Sequence, residues 1–418
     1  MFFNNNSYQA IRTLSAAAAA ILTKCNPVTM VTVLDPDEKK NAWVKEVTEN
    51  GNFTNPSFSY DAEYLQSIAD ARPTLIQARV LFNATIIPEN DADKAIKRIL
   101  LNRIDTGLLC SELATAMLAG DDKASASINK ELYGFPSEAQ IEKVLDGLKN
   151  PAPKATTLFD EETAARLKAI KVDATAIKYW FEKALAAAGI EGWSVEISSE
   201  FTAIDVQDFS KAGYPRIAIP ASRQIDGLKL VSLLMHEILG HARGSAEGWK
   251  LFGNLLKDTP IESLIPVMTK SHDETLYEGV AMRLEHAITG TEPLPWATIS
   301  CSNCPNTNFA ELGKIMYQYR LEGGAKPEKA ASLAYTNAYR LKRGCTDSGA
   351  VGYAFPKDPC YRKGFDLVPH LDPAVLTYSA LSIPEAQLIV STFKTKPSYA
   401  LNERAFMLIM ASEIITNS

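Results

Sequence analysis

The chain has 418 residues, 46% of them hydrophobic and 22% charged, an ordinary composition for a globular protein with at least one large core. The formal net charge of −6, without any dense basic run, argues against a surface that binds nucleic acid. No run of about 18 apolar residues occurs, so we expect no transmembrane segment.

The first part of the chain, up to residue 150, is predicted to be mostly helical. Apolar residues recur at helical spacing in three segments, which are residues 60–71, 74–83 and 95–118. Ser137 is placed to cap a short helix over residues 138–148. Two prolines then indicate a linker over residues 150–156.

A short apolar run near the N-terminus, residues 15–22 (SAAAAAIL), follows a single arginine, Arg12. The run could be a weak signal peptide, but its charged segment is poor and alanine favours an ordinary helix. We therefore expect a cytoplasmic protein and leave secretion open.

The apolar period changes in the middle of the chain. Two further helices are predicted over residues 161–170 and 175–188, the second ending at Gly189. Alternation then predicts three short strands, over residues 193–197, 202–206 and 216–220. A small sheet should therefore directly precede the most distinctive segment of the chain, residues 226–248.

That segment, DGLKLVSLLMHEILGHARGSAEG, places His236 beside Glu237 and a second histidine, His241, five residues after the first. Two imidazoles can bind zinc, and a neighbouring glutamate can act as base toward a zinc-bound water. Residues five apart on a regular α-helix diverge by roughly 140°, so both histidines reach one metal ion only if the helix contains a π-bulge or loosens. Gly240 would allow this. The alternative is a buried amphipathic helix with two incidental histidines.

A zinc site of this kind needs a third protein ligand. Residues 272–288 form a strong helical pattern in which Glu278 is our candidate, and Gly279 beside it would allow close approach of another helix. A solvated acidic face is the alternative for glutamates of this helix, and it suits Glu285. Three other side chains are rival ligands: His272, Glu274 and His286.

The strands before the histidine helix fit the small sheet of a zinc peptidase. In such a sheet an edge strand can pair with an extended peptide substrate. Strand 216–220 is the candidate, with Ile217 as its substrate-binding residue. Pro215 and Pro220 bracket this strand and would limit unwanted pairing.

The last part of the chain returns to helix and loop. Helices are predicted over residues 308–321, 326–342, 366–371, 383–393 and 402–416. Arg340 and Arg343 end the second of these, where they could complement the helix dipole or bind a substrate carboxylate. Lys357 and Tyr361 lie in the loop that follows, which ends at Gly364.

The six cysteines are sparse for a disulfide scaffold. Cys301 and Cys304 have the spacing of half a zinc knuckle, but no second close pair accompanies them, so a loop disulfide or two free thiols is favoured. Cys345 and Cys360 could pair across a loop, and the sequence leaves this open.

Taken together, these motifs resemble one family. His236-Glu237-x-x-x-His241 followed by Glu278-Gly279-Val280-Ala281 resembles the HExxxH and EGLA pair of the tyrosine carboxypeptidase family, which includes the microtubule-associated enzyme that removes the C-terminal tyrosine of α-tubulin. Further stretches are similar in the same order over about residues 75–400. They are Ala78-Arg79-x-Leu81-Phe82, Leu132-Tyr133-Gly134-x-Pro136, Arg340-x-x-Arg343-Gly344 and Lys357-Asp358-x-x-Tyr361-x-x-Gly364.

The resemblance implies a zinc metallopeptidase with one Zn²⁺ site. Its ligands would be His236, His241 and Glu278, and Glu237 would be the catalytic base. Tyr361 and Arg343 fall where they could stabilise the oxyanion. Candidate contacts for the substrate carboxylate are Arg243, Arg340 and Lys357.

The chain departs from the family pattern in two places. Ile-Leu-Gly lies between the histidines, and glycine directly before the second histidine resembles dipeptidyl peptidase III, which also has HExxxH. Arg243 lies one residue closer to His241 than the basic residue common in the family. Both differences concern substrate preference, including any preference for tyrosine.

The expected fold is α+β and predominantly α-helical, with a zincin-like metallopeptidase core and a small, mostly antiparallel sheet. We divide the chain into four segments: an N-terminal helical extension (1–74), a helical scaffold (75–155), the zincin-like catalytic core (156–300) and a C-terminal helical region that contributes the substrate-site loop (301–418). The oligomeric state is left open.

The favoured function is removal of a C-terminal residue from a peptide or protein tail, with that tail as the partner. One alternative is a dipeptidyl peptidase or endopeptidase on the same site. The other is a non-catalytic scaffold that grips a protein tail. The end of a defined peptide that shortens would distinguish the peptidases, and tight binding without cleavage would favour the scaffold.

Overall fold

The computed structural model describes residues 2–3, 8–149, 157–208, 214–293, 295–395 and 403–417. Helices make up 68% of it, so the predicted helical majority is confirmed. The predicted linker at 150–156 lies outside the described residues. In the described segments, no helix is both long and apolar enough to cross a membrane.

Helices dominate the chain before residue 150, as the apolar pattern predicts. They are α1 (Tyr8–Leu22), α2 (Pro27–Met30), α3 (Pro36–Asn50), α4 (Ala62–Ala69), α5 (Arg72–Thr85), α6 (Asp91–Leu118), α7 (Asp122–Tyr133) and α8 (Glu138–Lys149). Their starts have local causes, because side-chain oxygens accept from the first free backbone N–H groups. The predicted cap of α8 is confirmed, since Ser137 Oγ accepts from the backbone N of Gln140 at 3.3 Å.

Two helices and several short strands make up the middle of the chain. The helices are α9 (Glu161–Ala169) and α10 (Ala174–Ala187). The strands described are β1 (Phe2–Phe3), β2 (Ile86–Ile87), β3 (Lys171–Val172), β4 (Ser194–Ser198), β5 (Asp205–Gln207), β6 (Arg216–Pro220) and β7 (Ile225–Asp226). Two-stranded antiparallel pairs join β1 to β2 and β3 to β7.

The remaining strands form a three-stranded sheet in the order β4–β6–β5. β5 and β6 are antiparallel, with Asp205 opposite Ala218, whereas β4 and β6 are parallel, with Ser194 opposite Arg216. The expectation of a small sheet is confirmed. Most of the strand pairs described are antiparallel, as expected. The largest of the described sheets is nevertheless mixed.

The position of β6 corrects the expected substrate-pairing strand. β6 is the central strand and is paired on both sides, so its backbone is not available to an extended peptide. The side chain of Ile217 is fully buried in the core, with 0% exposed. Ile217 is therefore a core residue and not a substrate contact, and the sheet edges are β4 and β5.

A long central helix, residues 227–256, follows the sheet. It consists of α11 (Gly227–Leu233), a π-helical segment (Leu234–Ala242) and α12 (Arg243–Leu256). Asp226 begins it by accepting a hydrogen bond from the backbone N of Lys229 at 2.8 Å. The π-bulge that the histidine spacing required is present.

The C-terminal part is again helical. Its helices are α13 (Ile265–Met268), α14 (Thr275–Thr289), α15 (Trp296–Asn303), α16 (Phe309–Glu322), α17 (Pro327–Lys342), α18 (Cys360–Leu367), α19 (Pro373–Leu376), α20 (Ile383–Phe393) and α21 (Glu403–Thr416). α18 corrects the expected loop, because Tyr361 and Gly364 lie inside this helix. Prolines before the helix and the glycine within it had hidden its start.

Two hydrophobic cores hold these elements together. The first surrounds the central helix and includes the sheet, α1, α14 and α21, while the second lies among α3, α4, α16 and α17. The long helix α6 enters both, with Ile99 in the first and Leu113 in the second. Each core thus draws on several of the four expected segments, whose boundaries stay a prediction.

The six cysteines are free thiols. The free-thiol alternative for Cys301 and Cys304 is therefore confirmed, and Cys345 and Cys360 are not paired. Cys345 donates instead to the backbone carbonyl of Lys342 at 2.7 Å.

Candidate metal centre

The π-helical segment brings the two predicted histidines to one side of the central helix. Its backbone bonds span five residues, so residues five apart lie above one another. The ring centroids of His236 and His241 are 4.8 Å apart, with the rings nearly perpendicular. The π-bulge thus removes the divergence that a regular α-helix would impose.

Glu278 of α14 faces both imidazoles. Its Oε2 lies 4.0 Å from Nε2 of His236 and 3.6 Å from Nε2 of His241. This oxygen is buried, and in the described part of the chain nothing donates a hydrogen bond to it. A buried acceptor without a donor costs free energy, which a cation between these three side chains would relieve.

Glu237 lies at the same place. Ligand atoms of His236, Glu237 and His241 are all within 4.8 Å of one another, so this group could hold a metal ion. Imidazole nitrogens and carboxylate oxygens are the donors that suit zinc, and the residues therefore fit that ion. Glu278 faces Nε2 of both rings from a second helix, whereas Glu237 is adjacent to His236 in the same helix.

Glycines let the helices approach closely enough to build this group. A Cβ on Gly240 would lie 2.7 Å from Cα of Ala281, so any side chain there would push α14 away from the histidines. On the other side of α14, a Cβ on Gly279 would lie 2.5 Å from the backbone of Gly364 in α18. The expected close approach at Gly279 is confirmed, whereas Gly240 serves helix contact.

Glu285 corrects another expectation, because it does not belong to a solvated face. One carboxylate oxygen lies 3.1 Å from Nδ1 of His236, and the other accepts from Lys229 at 2.8 Å and Ser232 at 3.1 Å. A carboxylate on the second nitrogen of a histidine ligand fixes the ring and its tautomer. The sequence could have indicated this position, since Glu278 and Glu285 are two helical turns apart and therefore lie on the same face of the helix.

Burial and charge set the protonation of these groups. Burial raises the pKa of Glu237 to about 7, with the charges of Glu278 and Glu285 adding to the effect. Burial alone would lower the pKa of His236, but the neighbouring carboxylates, Glu237 first among them, raise it to about 9. Hydrogen bonds from His236 and Lys229 outweigh burial and lower the pKa of Glu285 to about 2.

Tyr361 reaches the same cavity from α18. The charge of Glu278, together with burial, raises the pKa of Tyr361 well above its usual range, so the phenol keeps its proton. Arg340 donates to Asp358 at 3.0 Å, and it also interacts electrostatically with the side chain of Tyr361. Arg340 does not border the cavity itself.

Two lysines and a glutamate also border the cavity. Nζ of Lys357 lies 2.6 Å from Glu274, and Nζ of Lys270 lies 3.6 Å from both Glu274 and Asp208. Lys357 was expected near the substrate, whereas Lys270 was not. No local spacing signals Lys270, because its contacts come from separate segments.

These residues surround a cavity of about 300 Å³. Six of the favoured site residues border it, and so does the rival ligand Glu274; the six are His236, Glu237, His241, Glu278, Lys357 and Tyr361. Sequence reasoning missed Asp205 of β5, together with Asn26 and Val28 of the segment between α1 and α3. The edge strand near the cavity is therefore β5, and the N-terminal segment forms part of the cavity wall.

Other predicted residues lie elsewhere. Arg243 donates to Glu403 of α21 at 2.9 Å, and the Arg343 guanidinium packs over the ring of Phe355, 5.0 Å from its centroid. Neither borders the cavity, so the structure does not bring these two arginines to the histidines.

The rival histidine ligands are also apart from this group. Nδ1 of His272 lies 3.2 Å from Thr106, and His286 packs against Phe365. Neither belongs to the group of ligand atoms found among the described residues. Glu274, the third rival, borders the cavity but contacts the lysines.

Neither the protein-family models nor the curated proteins match this chain. The likeness to tyrosine carboxypeptidases therefore rests on the motifs alone.

Proposed function

We propose that the protein is a zinc metallopeptidase. The observation that carries the proposal is the convergence of His236, His241 and Glu278 through a π-helical segment, with Glu237 beside them. A π-bulge is uncommon and is often found at functional sites. Two incidental histidines on a structural helix would not require one.

A zinc ion held by His236, His241 and Glu278 would act as a Lewis acid on a scissile carbonyl and on a water molecule. Glu237, with a pKa raised toward 7, is suited to take a proton from that water and to pass it to the leaving amine. Tyr361, whose phenol keeps its proton, is the candidate donor to the developing oxyanion.

The proposed reaction is removal of a C-terminal residue from a peptide or protein tail. Support comes from the ordered motifs shared with tyrosine carboxypeptidases and from the two lysines beside the cavity, since a carboxypeptidase needs a cation for the terminal carboxylate. An endopeptidase or a dipeptidyl peptidase would use the same histidines and glutamates. We do not retain Arg243 or Arg340 as contacts of the substrate carboxylate, or Arg343 as a donor to the oxyanion, because none of them borders the cavity.

Zinc content and peptide cleavage together test this proposal. We expect about one zinc per chain in the wild type and a clear loss in Glu278→Ala, because the site loses a ligand. Glu274→Ala, at the rival ligand, is the comparison variant and should keep its zinc, because this carboxylate contacts the lysines. Elemental analysis measures the metal.

Glu237→Gln should keep its zinc and lose peptide cleavage, which mass spectrometry of a defined peptide would show. No zinc in the wild type, even after refolding with excess metal, would overturn the proposal and favour a tail-binding scaffold. An unchanged zinc content in Glu278→Ala would show that the third ligand is a residue other than Glu278.

A further inference from the structure

A second cavity, of about 110 Å³, lies beyond the two lysines. It shares with the first cavity the wall formed by Lys270, Glu274 and Lys357, and the N-terminal residues Asn26 and Val28 border both. Lys270 and Lys357 therefore border both the cavity of the proposed metal site and this further pocket.

The two cavities differ in charge. The second is bordered by Lys270, Lys357 and Arg103, whose charge is paired with Glu385, and, among the described residues, by Glu274 as the one carboxylate. The first contains four carboxylates, those of Asp205, Glu237, Glu274 and Glu278. A ligand that spans both is therefore favoured with its anionic end toward the lysines.

The lysines retain capacity to bind an anion. The carboxylate contacts of Lys270 are 3.6 Å long, which is an ion-pair distance and beyond a hydrogen bond. Lys357 makes one short contact, 2.6 Å, with Glu274. An ammonium group has three donors, so each lysine can also donate to a ligand carboxylate.

We propose that the second cavity, here called the terminal-residue cavity, receives the residue after the scissile bond, and that Lys270 and Lys357 bind its carboxylate. This inference rests on the proposed peptidase function. Hydrolysis breaks the amide C–N bond. The water oxygen joins the carbonyl carbon, and one water proton goes to the amine of the released residue. That residue leaves from the terminal-residue cavity.

The size of this cavity limits the residue that it can hold. An apolar cavity of about 150 Å³ binds benzene. The terminal-residue cavity, at about 110 Å³, is smaller and also more polar. Its size therefore favours a small or short aliphatic side chain over the ring of tyrosine, in contrast to the preference that the family resemblance implies.

Binding to an inactive enzyme tests the carboxylate site directly. Zinc-loaded Glu237→Gln would be titrated calorimetrically with peptides of one sequence ending in alanine, either as the free acid or as the amide. We expect the acid to bind about tenfold more tightly, because hydrogen bonds to charged groups are lost in the amide. Lys270→Met in the same background should abolish the difference, whereas Lys250→Met, at an exposed position of α12, should keep it.

Further peptides identify the source of the carboxylate and the size limit. An amide that ends in aspartate should bind as weakly as the alanine amide if the terminal carboxylate is recognised, and a peptide acid ending in tyrosine should bind more weakly than the alanine acid. Equal binding of acid and amide in Glu237→Gln would overturn the inference, even if Lys270→Met did not fold.

Cleavage by the wild type separates the two proposals. Cleavage at internal bonds, regardless of the C-terminal group, would retain the peptidase function and overturn the terminal-residue cavity. Acid-selective binding without any cleavage would retain the carboxylate site and overturn the peptidase function.

Discussion

Glu285 determines how His236 is presented. Nδ1 of His236 lies 3.1 Å from the Glu285 carboxylate, whose pKa is lowered by hydrogen bonds from His236 and Lys229, so Nδ1 donates in this contact. The contact leaves Nε2 of the same ring facing Glu278. Lys229 and Ser232 hold Glu285 from the other side. Glu285 is therefore a positioning residue.

Replacing this carboxylate tests the assignment. We expect Glu285→Gln to weaken zinc affinity by about 10- to 100-fold, as loss of partners of metal ligands does. Competition with a chelator of known affinity measures this. Glu142→Gln, at an exposed position of α8, is the control and should leave affinity unchanged. Equal affinities in the two variants would make Glu285 a purely structural residue.

Among single residues, the sequence predicted those whose position at the site depends on local spacing along a helix. The positions of His236, Glu237 and His241 follow from one helix, and Glu278 follows from the next helical pattern. Lys270 escaped notice because its contacts with Asp208 and Glu274 depend on how separate segments pack. The prediction that Arg243 and Arg343 lie at the site was wrong for a related reason. Each of them contacts a partner elsewhere in the fold, which local spacing does not reveal.

The contact between the central helix and α14 depends on small residues. Gly240 meets Ala281 so closely that an added Cβ would lie 2.7 Å from its Cα. The same helix contains Gly253, where an added Cβ would have nothing within 4 Å. The two glycines thus separate the effect of helix contact from the general effect of glycine in a helix.

We expect Gly240→Ala to lower the free energy of unfolding by about 1–3 kcal/mol, because overpacking forces backbone shifts. It should also weaken zinc binding by moving Glu278. Gly253→Ala should be neutral or stabilising by about 0.5–1 kcal/mol, since alanine is the better helix former. Urea unfolding measures both. Similar changes in both variants would mean that the helix contact is not the cause.

Among the elements, long periodic helices were the most predictable and strand roles the least. Local spacing indicated the π-helical segment, because both histidines can face one point only if the helix contains a π-bulge or loosens. The central place of β6 depends on pairing with both β4 and β5, which no single segment encodes. The start of α18 was not predicted, because Gly364 was taken as the end of a loop. This glycine lies within the helix, where close contact with Gly279 requires it.

An ion pair between distant parts of the chain links α6 to α20. Arg103 donates two hydrogen bonds to Glu385, at 2.7 and 3.0 Å, and a third to the backbone carbonyl of Val267. Both side chains are almost completely buried, with 7% and 6% exposed. Composition gave no sign of this pair, because the two residues lie far apart in the sequence.

Breaking this pair should destabilise the whole protein. Glu385→Gln leaves the Arg103 charge buried without its counter-charge, which costs about 3–5 kcal/mol in comparable pairs. Glu112→Gln is the matched control. It removes the carboxylate of the Arg72–Glu112 pair, whose side chains are 48% and 43% exposed, and such pairs contribute about 0–1 kcal/mol. Denaturant unfolding at neutral pH measures both variants.

The same pair gives a pH dependence of known sign. Burial alone would raise the pKa of Glu385, but the charge and hydrogen bonds of Arg103 lower it below its ordinary value. Its contribution is therefore fully present above the unfolded pKa of about 4.3 and is lost as pH falls through the lower folded value. The stability difference between wild type and Glu385→Gln should be constant from about pH 7 to pH 5 and shrink below about pH 4. A difference that instead persisted unchanged to lower pH would show that loss of packing, and not of charge, destabilises the variant.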